Sequence, residues 1–207
     1  MTAWLTTLQY VKRSEQRAAT RAALAEAALR LFAERGVEAT PVEEIAAAAG
    51  VTSRTFFHHF HSKAEAAFAD HEENIRRFGQ ALDRIDPKGD PLADVCSVII
   101  RSIEEQMPSD FRRARYGLVE TNEAIREFDA RTDRDYEILV AAHLRLRWGD
   151  GPRTRMVAEA TANMVIGVAR AVLLAWGRDG LDPAEEAREL FAALTRSALE
   201  RMAASGR

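Results

Sequence analysis

The chain has little of the residues that build turn-rich or cross-linked folds. Its 207 residues include one cysteine, 11 glycines and six prolines. A single cysteine excludes a disulfide framework and a zinc site with four thiolate ligands. So few glycines and prolines disfavour a β-sandwich or barrel, whereas alanine, leucine, arginine and glutamate dominate the long stretches. The composition therefore predicts an all-α protein without strands.

Long apolar runs are also missing. The longest, residues 164–176, is interrupted by Arg170, which argues against a transmembrane span. Residues 1–10 lack the basic start and small-residue cleavage site of a signal peptide, so we expect residues 1–16 to be a flexible tail. With the lone thiol, these features predict a cytoplasmic protein that needs no cofactor, no metal and no membrane partner.

Charge is modest overall but unevenly placed. The net charge is −3, which argues against a protein that coats nucleic acid through bulk charge. Residues 1–63 contain eight Lys or Arg against six Glu and are net positive, so the remainder is net negative. A charge difference this small indicates no function by itself, and we interpret it together with a motif in the same segment.

Helix signals in the first third predict a helix-turn-helix domain over residues 17–63. A helix over 17–35 ends at Gly36, where a left-handed residue is favoured. Thr40, Pro41 and Glu43 form a predicted capping box for a second helix that stops at Gly50. A short third helix over 53–60 follows after a Gly-Val-Thr turn.

The remaining residues, 64–207, predict a second helical domain. Ser62 caps a predicted long helix over 63–84, and a linker with two prolines follows at 86–91. The later helical patterns cover 91–107, 109–128, 131–148, 153–178 and 183–203.

Residues 17–68 closely resemble the DNA-binding domain of the tetracycline-repressor (TetR) family of bacterial transcription regulators. The matching segments are 28–36, Thr40 with 42–46, 49–52, 55–57, 59–60 and 62–63. The resemblance implies a three-helix DNA-binding domain followed by a helical domain for ligand binding and dimerisation. It further implies a regulator, more often a repressor than an activator, that a small molecule releases from a palindromic operator.

The third helix has one apolar face and one polar face. Phe56 and Phe60 lie four residues apart and are predicted to be core. Ser53, Arg54, Thr55 and His58 remain for the outer face, with Phe57 at its edge, and these residue types suit readout of base edges in the major groove. Thr40, His59 and Lys63 are predicted to contact phosphates.

Two positions depart from the family pattern. The family commonly has tyrosine at Phe57, whose ring here offers only apolar contact, and proline at His61. His58, His59 and His61 also raise a metal hypothesis, but no Cys, Asp or Glu joins them at ligand spacing. We therefore interpret them as histidines on a DNA-facing turn.

A stripe of small and apolar residues on the helix over 153–178 is typical of close helix packing. We predict a homodimer, which a two-fold operator requires, through this stripe and the last helix. The interpretation that the stripe is intrachain core stays open. The predicted interface residues are Ala160, Gly167, Ala171, Leu174, Phe191 and Leu194.

Polar residues stranded among apolar ones are the best sequence clues to a cavity, since buried polar groups need partners. With apolar walls around them, they predict a site for a mostly apolar small molecule. A structural hydrogen bond or a surface position is the alternative for each. Arg170 is one such stranded polar residue. The ligand candidates are Met107, Phe111, Tyr116, Asn122, His143, Asn163 and Met164.

A neighbouring run, Arg112, Arg113 and Arg115, suggests either a solvated face or a cluster for an anionic ligand such as an acyl-CoA. A different class of protein, a small helical carrier or enzyme without a DNA role, is the rival hypothesis. The chain lacks a Gly-x-Ser-x-Gly elbow, a His-Glu-x-x-His motif and a phosphate-binding glycine loop. We therefore expect a non-enzymatic regulator.

Overall fold

A computed structural model of the chain describes residues 2–106 and 110–205. Over these residues the protein is all-α, which confirms the fold class predicted from the sequence. The helices are α1 Thr2–Arg35, α2 Val42–Ala48, α3 Ser53–His59, α4 Lys63–Ala67, α5 His71–Asp83, α6 Pro91–Gln106, α7 Asp110–Thr121, α8 Glu123–Trp148, α9 Pro152–Asp179 and α10 Pro183–Ser205.

Helices α1 to α4 form the N-terminal head. Two glycines allow its tight turns, because Gly36 has φ +85° and Gly50 has φ +68°, the left-handed region predicted for Gly36. Side chains from α1, α2 and α3 meet in a fully buried apolar core beneath these turns. The largest of them are Leu24, Phe32, Ile45, Phe56 and Phe60.

Helix α1 is longer at its start than the sequence predicted. The expected flexible tail over 1–16 is helical from Thr2, and α1 continues without a break to Arg35. No proline or glycine occurs before Gly36, so nothing in this stretch opposes the helical backbone.

The predicted long helix over 63–84 is wrong, because it is two helices separated at Phe68–Asp70. In a continuous helix the carbonyl of Ala67 would accept from the amide of His71. Here the His71 amide donates to the carbonyl of Phe68 at 2.9 Å, and Arg115 Nη1 donates to the carbonyl of Ala67 at 3.3 Å. A side chain from α7 thus occupies the acceptor that a continuing helix needs.

Helices α5 to α10 form the body, in which α9 packs against α7, α8 and α10. Helices α7 and α9 lie close together at two glycines: a Cβ on Gly177 would lie 2.7 Å from the amide nitrogen of Gly117. The buried face of α9 is apolar and includes Val165, Ile166 and Val172. The other face of α9 is exposed.

The expectation that no segment could span a membrane is corrected for α9, which has the length and apolarity to do so. An 18-residue window of α9 has a mean hydropathy of 1.5, and a third of that window is buried in the protein. Core helices of globular proteins meet the same criterion, and α9 carries Arg170 in ion pairs with α8. We assign α9 to the helical bundle on those contacts.

Candidate DNA-binding surface and ligand cavity

Helix α3 is short, and its local sequence and the core hold it in place. The hydroxyl oxygen of Thr52 caps it by accepting from the amide of Thr55 at 3.3 Å. Phe56 and Phe60 are fully buried, with ring centroids 5.5 Å apart, as the sequence predicted. Anchored by these rings, α3 presents its opposite face to solvent. That face exposes Arg54, Phe57 and His58 and partly exposes Ser53 and Thr55.

Thr40 lies elsewhere than the sequence predicted. It is fully buried, and its hydroxyl donates to the carbonyl of Gly36 at 2.8 Å. The residue that precedes α2 is Pro41, which has no side-chain cap, so the predicted capping box from Thr40 to Glu43 is absent. Thr40 therefore fixes the turn after α1 and has no hydroxyl free for a phosphate.

His59 and Lys63 are also drawn into the head. His59 is 9% exposed, and burial, helped by His58, lowers its pKa, so the ring is neutral near pH 7. Lys63 Nζ donates to the carbonyl of Val37 at 2.7 Å and to that of Thr40 at 3.3 Å. One ammonium N–H of Lys63 is left for another acceptor.

Arg21 is a head residue that the sequence reasoning did not single out. Its Nη1 donates to the carbonyl of His59 at 2.5 Å, and its guanidinium lies 4.3 Å from the ring centroid of Phe60. It closes the C-terminal end of α3 onto α1. Within the described residues, no group of three His, Cys, Asp or Glu side chains is placed to hold a metal ion.

A cavity lies in the body, between α5, α6, α7, α8 and α9. It encloses about 670 Å³ of empty space, counting its mouth open to solvent. Its apolar wall includes Phe68, Phe78, Ile99, Ile103, Ile166 and Leu173. Its polar wall includes Asp70, His71, Ser102, Arg115, Tyr116, Asp129, Thr132, Asp133, Tyr136 and Arg170.

One side of the cavity is a buried ion pair at the α4–α5 break. Arg115 Nη1 lies 2.8 Å from Asp70 Oδ1, and Arg112 Nη2 lies 3.0 Å from Asp70 Oδ2. Burial of Asp70 would raise the pKa of its carboxyl, but the guanidiniums of Arg115 and Arg112 outweigh this and hold the pKa below its usual value. The Arg115 guanidinium also stacks 4.8 Å from the ring centroid of Phe68.

The opposite side holds two carboxylates and one guanidinium. Arg170 Nη2 lies 3.2 Å from Asp129 Oδ2, and Arg170 Nη1 lies 3.5 Å from Asp133 Oδ2. Burial raises the pKa of the Asp129 carboxyl. Burial and the neighbouring Asp129 raise the pKa of Asp133 to about 7, against the opposing effect of Arg170. The guanidinium of Arg170 thus lies within ion-pair distance of both Asp129 and Asp133.

The structure places Tyr116 and the stranded polar residue Arg170 on this cavity, and none of the other described ligand candidates. Asn122 is instead the N-cap of α8, because its side chain accepts from the amide of Ile125 at 3.0 Å. His143, whose pKa burial lowers, is not part of the cavity wall. Asn163 and Met164 lie on the exposed face of α9. Met107 and the side chain of Phe111 lie outside the described residues.

The sequence reasoning missed most of the charged wall. Asp129 and Asp133 lie four residues apart on α8, a spacing that places both on one face, but nothing in the sequence placed that face opposite Arg170. Of the arginine run considered as a solvated or anion-binding cluster, Arg115 is buried with Asp70. Arg113 Nε instead donates to the carbonyl of Trp176 at 3.2 Å, so the three side chains do not form one cluster.

The predicted dimer residues fall into two groups. Ala160, Gly167 and Ala171 are exposed on α9, and a Cβ added to Gly167 would meet nothing within 4 Å. Phe191 is 2% exposed and belongs to the chain's own core, which corrects its assignment to a surface. Leu174 and Leu194 are half-buried and pack against the same chain.

Comparison with known proteins agrees with this arrangement. Residues 24–68 match the family of bacterial regulatory proteins described as the tetR family. The HTH-type transcriptional regulator AcrR of Shigella flexneri is 32% identical over 104 residues, which cover 49% of this chain and 48% of AcrR. The chain thus spans about half the length of that curated relative.

Solved structures extend the likeness to the body. SmeT, the repressor of the Stenotrophomonas maltophilia multidrug efflux pump SmeDEF, superposes with a TM-score of 0.60 at 25% identity, over 86% of this chain and 89% of SmeT. FadR from Bacillus subtilis, solved with stearoyl-CoA, has a TM-score of 0.61 at 17% identity, over 83% of this chain and 95% of FadR. The latter likeness is one of fold. Its head thus matches the tetR family of bacterial regulatory proteins, and its fold is similar to that of the repressor SmeT.

Proposed function

We propose that the protein is a transcription regulator that binds a palindromic DNA operator as a homodimer and leaves it when a small molecule enters the body. A cytoplasmic, non-enzymatic repressor fits this role. The observation that carries the proposal is the placement of α3. Its buried Phe56 and the C-cap residue Phe60 hold it so that Arg54, Phe57 and His58 face solvent. A short helix so anchored has the dimensions to enter the major groove.

The exposed side chains divide into two functions on DNA. Arg54 can pair with guanine through two hydrogen bonds, and Ser53 and Thr55 can contact base edges beside it. Lys63 already donates to the carbonyls of Val37 and Thr40, and its remaining N–H is the one left for a phosphate. We therefore assign base readout to α3 and backbone contact to the start of α4.

A homodimer fits the exposed face of α9. This face carries Met156, Val157 and Met164, which are 63%, 41% and 41% exposed, beside the small residues Ala160 and Gly167. Small residues let a partner helix approach closely, and apolar side chains gain from burial. Gly167→Trp should yield a folded monomer with weakened operator binding, measured by light scattering and DNA titration. Gly151→Ala, at an exposed glycine with φ −70° where an added Cβ comes no closer than 3.9 Å to another side chain, is the matched control and should dimerise normally.

The cavity shares its wall with the segment that joins head to body. Phe68 and Asp70 line it and also form the α4–α5 break. A ligand that prefers one position of these residues would change the position of α4, and hence the spacing of the two α3 helices in a dimer. Such coupling is reciprocal and is typically about 1–3 kcal/mol.

Selection of bound sites from random duplex DNA tests the proposal. We expect a palindromic site whose affinity falls steeply with salt. Lys63→Ala should weaken binding to all duplexes and lower the salt slope by about one unit, whereas Arg54→Ala should change the base preference. The rival carrier or enzyme would recover no common sequence and show no steep salt dependence, and that result would contradict the proposal.

A further inference from the structure

The wall of the body cavity holds unbalanced acidic charge. Arg115 is matched by Asp70 at 2.8 Å and by its hydrogen bond to the carbonyl of Ala67. Among the described residues, Asp129 and Asp133 on the other side have Arg170 as their shared ion-pair partner, and Arg115 acts on Asp129 only from a greater distance. The distances of 3.2 and 3.5 Å show that neither carboxylate has Arg170 to itself. The acidic side of the cavity therefore has one more carboxylate than cation.

Asp129 has a buried oxygen that lacks a hydrogen-bond partner. The side chain is 4% exposed, and its Oδ2 accepts no hydrogen bond, since Arg170 Nη2 is near it without being aligned to donate. A buried carboxylate oxygen without a donor costs free energy comparable to the desolvation of the group. Asp129 lines the cavity, so a bound molecule with a donor can supply the missing bond.

The rest of the wall suits an apolar body with a positive end. Tyr136 and Phe78 pack in a T-shaped arrangement with ring centroids 5.1 Å apart, and Tyr116 and Phe68 complete an aromatic surface. Aromatic faces attract cations as well as apolar groups. An anion would meet two carboxylates. Arg115 Nε is also buried without a hydrogen-bond partner, but its guanidinium is already in an ion pair with Asp70, so it offers an anion no unpaired charge.

We propose that the cavity binds a monovalent organic cation, an amine with an apolar body, whose nitrogen lies against Asp129 and Asp133. The proposal names the ligand class for the sensor site and rests on the proposed function only for the effect on DNA. Each ammonium N–H bond to a carboxylate is worth about 10- to 100-fold in affinity over an uncharged contact.

The same arrangement makes binding depend on pH. The charged or titratable groups that face Asp133 are Asp70 and His71 of the α5 start, Arg115 of α7, Asp129 and Glu137 of α8 and Arg170 of α9, besides the neutral Tyr116 and Tyr136. Helix α6 contributes Ile99, Ser102 and Ile103, which carry no charge. Since the pKa of Asp133 is about 7, a bound cation releases its proton. Amine affinity should therefore rise from pH 6 to pH 8.

Calorimetry with three probes of equal size tests the proposal. The probes are 4-phenylbutylamine, 4-phenylbutanol and 4-phenylbutyrate, which share an apolar body and differ in charge at one end. We expect the full chain to bind the amine at least about tenfold more tightly than the alcohol, and the acid more weakly than either. In the double variant Asp129→Asn with Asp133→Asn, the amine should lose its advantage while the alcohol binds as before.

Unchanged binding of the alcohol shows that the double variant keeps its cavity. Glu137→Gln, which removes a charge beside the cavity wall, is the matched control and should retain the preference for the amine. The proposal is overturned if the amine fails to bind, if the alcohol or acid binds as tightly, or if the preference survives in the double variant. Release of operator DNA is measured separately, so amine binding without release contradicts only the proposed function.

Discussion

The head and the body differ in the partners of their buried polar groups. In the head, Thr40 is satisfied by the carbonyl of Gly36, four residues away, and Lys63 by carbonyls of the adjoining turn. In the body, Arg115 meets Asp70 and Arg170 meets Asp129 and Asp133, all from other helices. The head thus keeps an apolar interior, whereas the body has charged side chains around an internal cavity.

The largest effect should follow from opening the apolar interior of the head. Phe56→Ala should lower the free energy of unfolding by about 3–5 kcal/mol, because it leaves a cavity beneath α3. Chemical denaturation measures this loss. Arg54→Ala, on the exposed face of the same helix, is the control and should change stability by less than about 0.5 kcal/mol. Equal losses in the two variants would contradict the division between an apolar interior and a polar outer face.

A slightly smaller loss should follow from breaking the buried ion pair of the body. Asp70→Asn leaves the guanidinium of Arg115 buried and poorly matched, which should cost about 2–4 kcal/mol, toward the low end because Asp70 is 28% exposed. Denaturation at pH 7 measures it. Adding Arg115→Met removes the stranded charge and should restore part of the stability. No recovery in the double variant would show that the two residues act independently.

The smallest effect should be a gain in stability when an acidic group is removed from the cavity wall. The pKa of Asp133 is raised to about 7 in the folded protein, so its protonated carboxyl favours the folded state. This contribution to stability is fully present below the pKa that Asp133 has in the unfolded chain, and it is lost as the pH rises through 7. Asp133→Asn keeps the uncharged shape, so it should stabilise the protein by about 1–3 kcal/mol at pH 8 and by nothing at pH 4. Thermal melting at both values measures this. A loss of stability at pH 8 would contradict the raised pKa.

The head was predictable because its signals are local. Gly36 and Gly50 mark turns, and Phe56 and Phe60 lie one helical turn apart, so sequence spacing alone gave the helix-turn-helix and the exposed face of α3. Thr40 and His59 were exceptions, because both are buried. A threonine before Pro41 suits an N-cap as well as the hydrogen bond it makes to Gly36.

The cavity was not predictable in the same way. Its polar wall joins residues distant in the chain, as with Asp70 and Arg115, 45 positions apart. Amphipathic helices carry many charged residues, and the packing of the helices decides which of these residues face the interior. A single sequence does not determine that packing. The break at Phe68–Asp70 also depends on helix packing. Arg115, which lies on α7, donates a hydrogen bond to the carbonyl of Ala67 at the end of α4.

The apolar core of the head does not end at the head. The same buried cluster that contains Phe32 and Phe56 continues through Phe68 to Tyr116 and Trp176 of the body. A fragment ending at residue 68 would therefore expose part of its own core to water and lose cooperativity. The two parts should unfold in one transition, and a ligand that stabilises the body should slow amide hydrogen exchange in α3, far from where it binds.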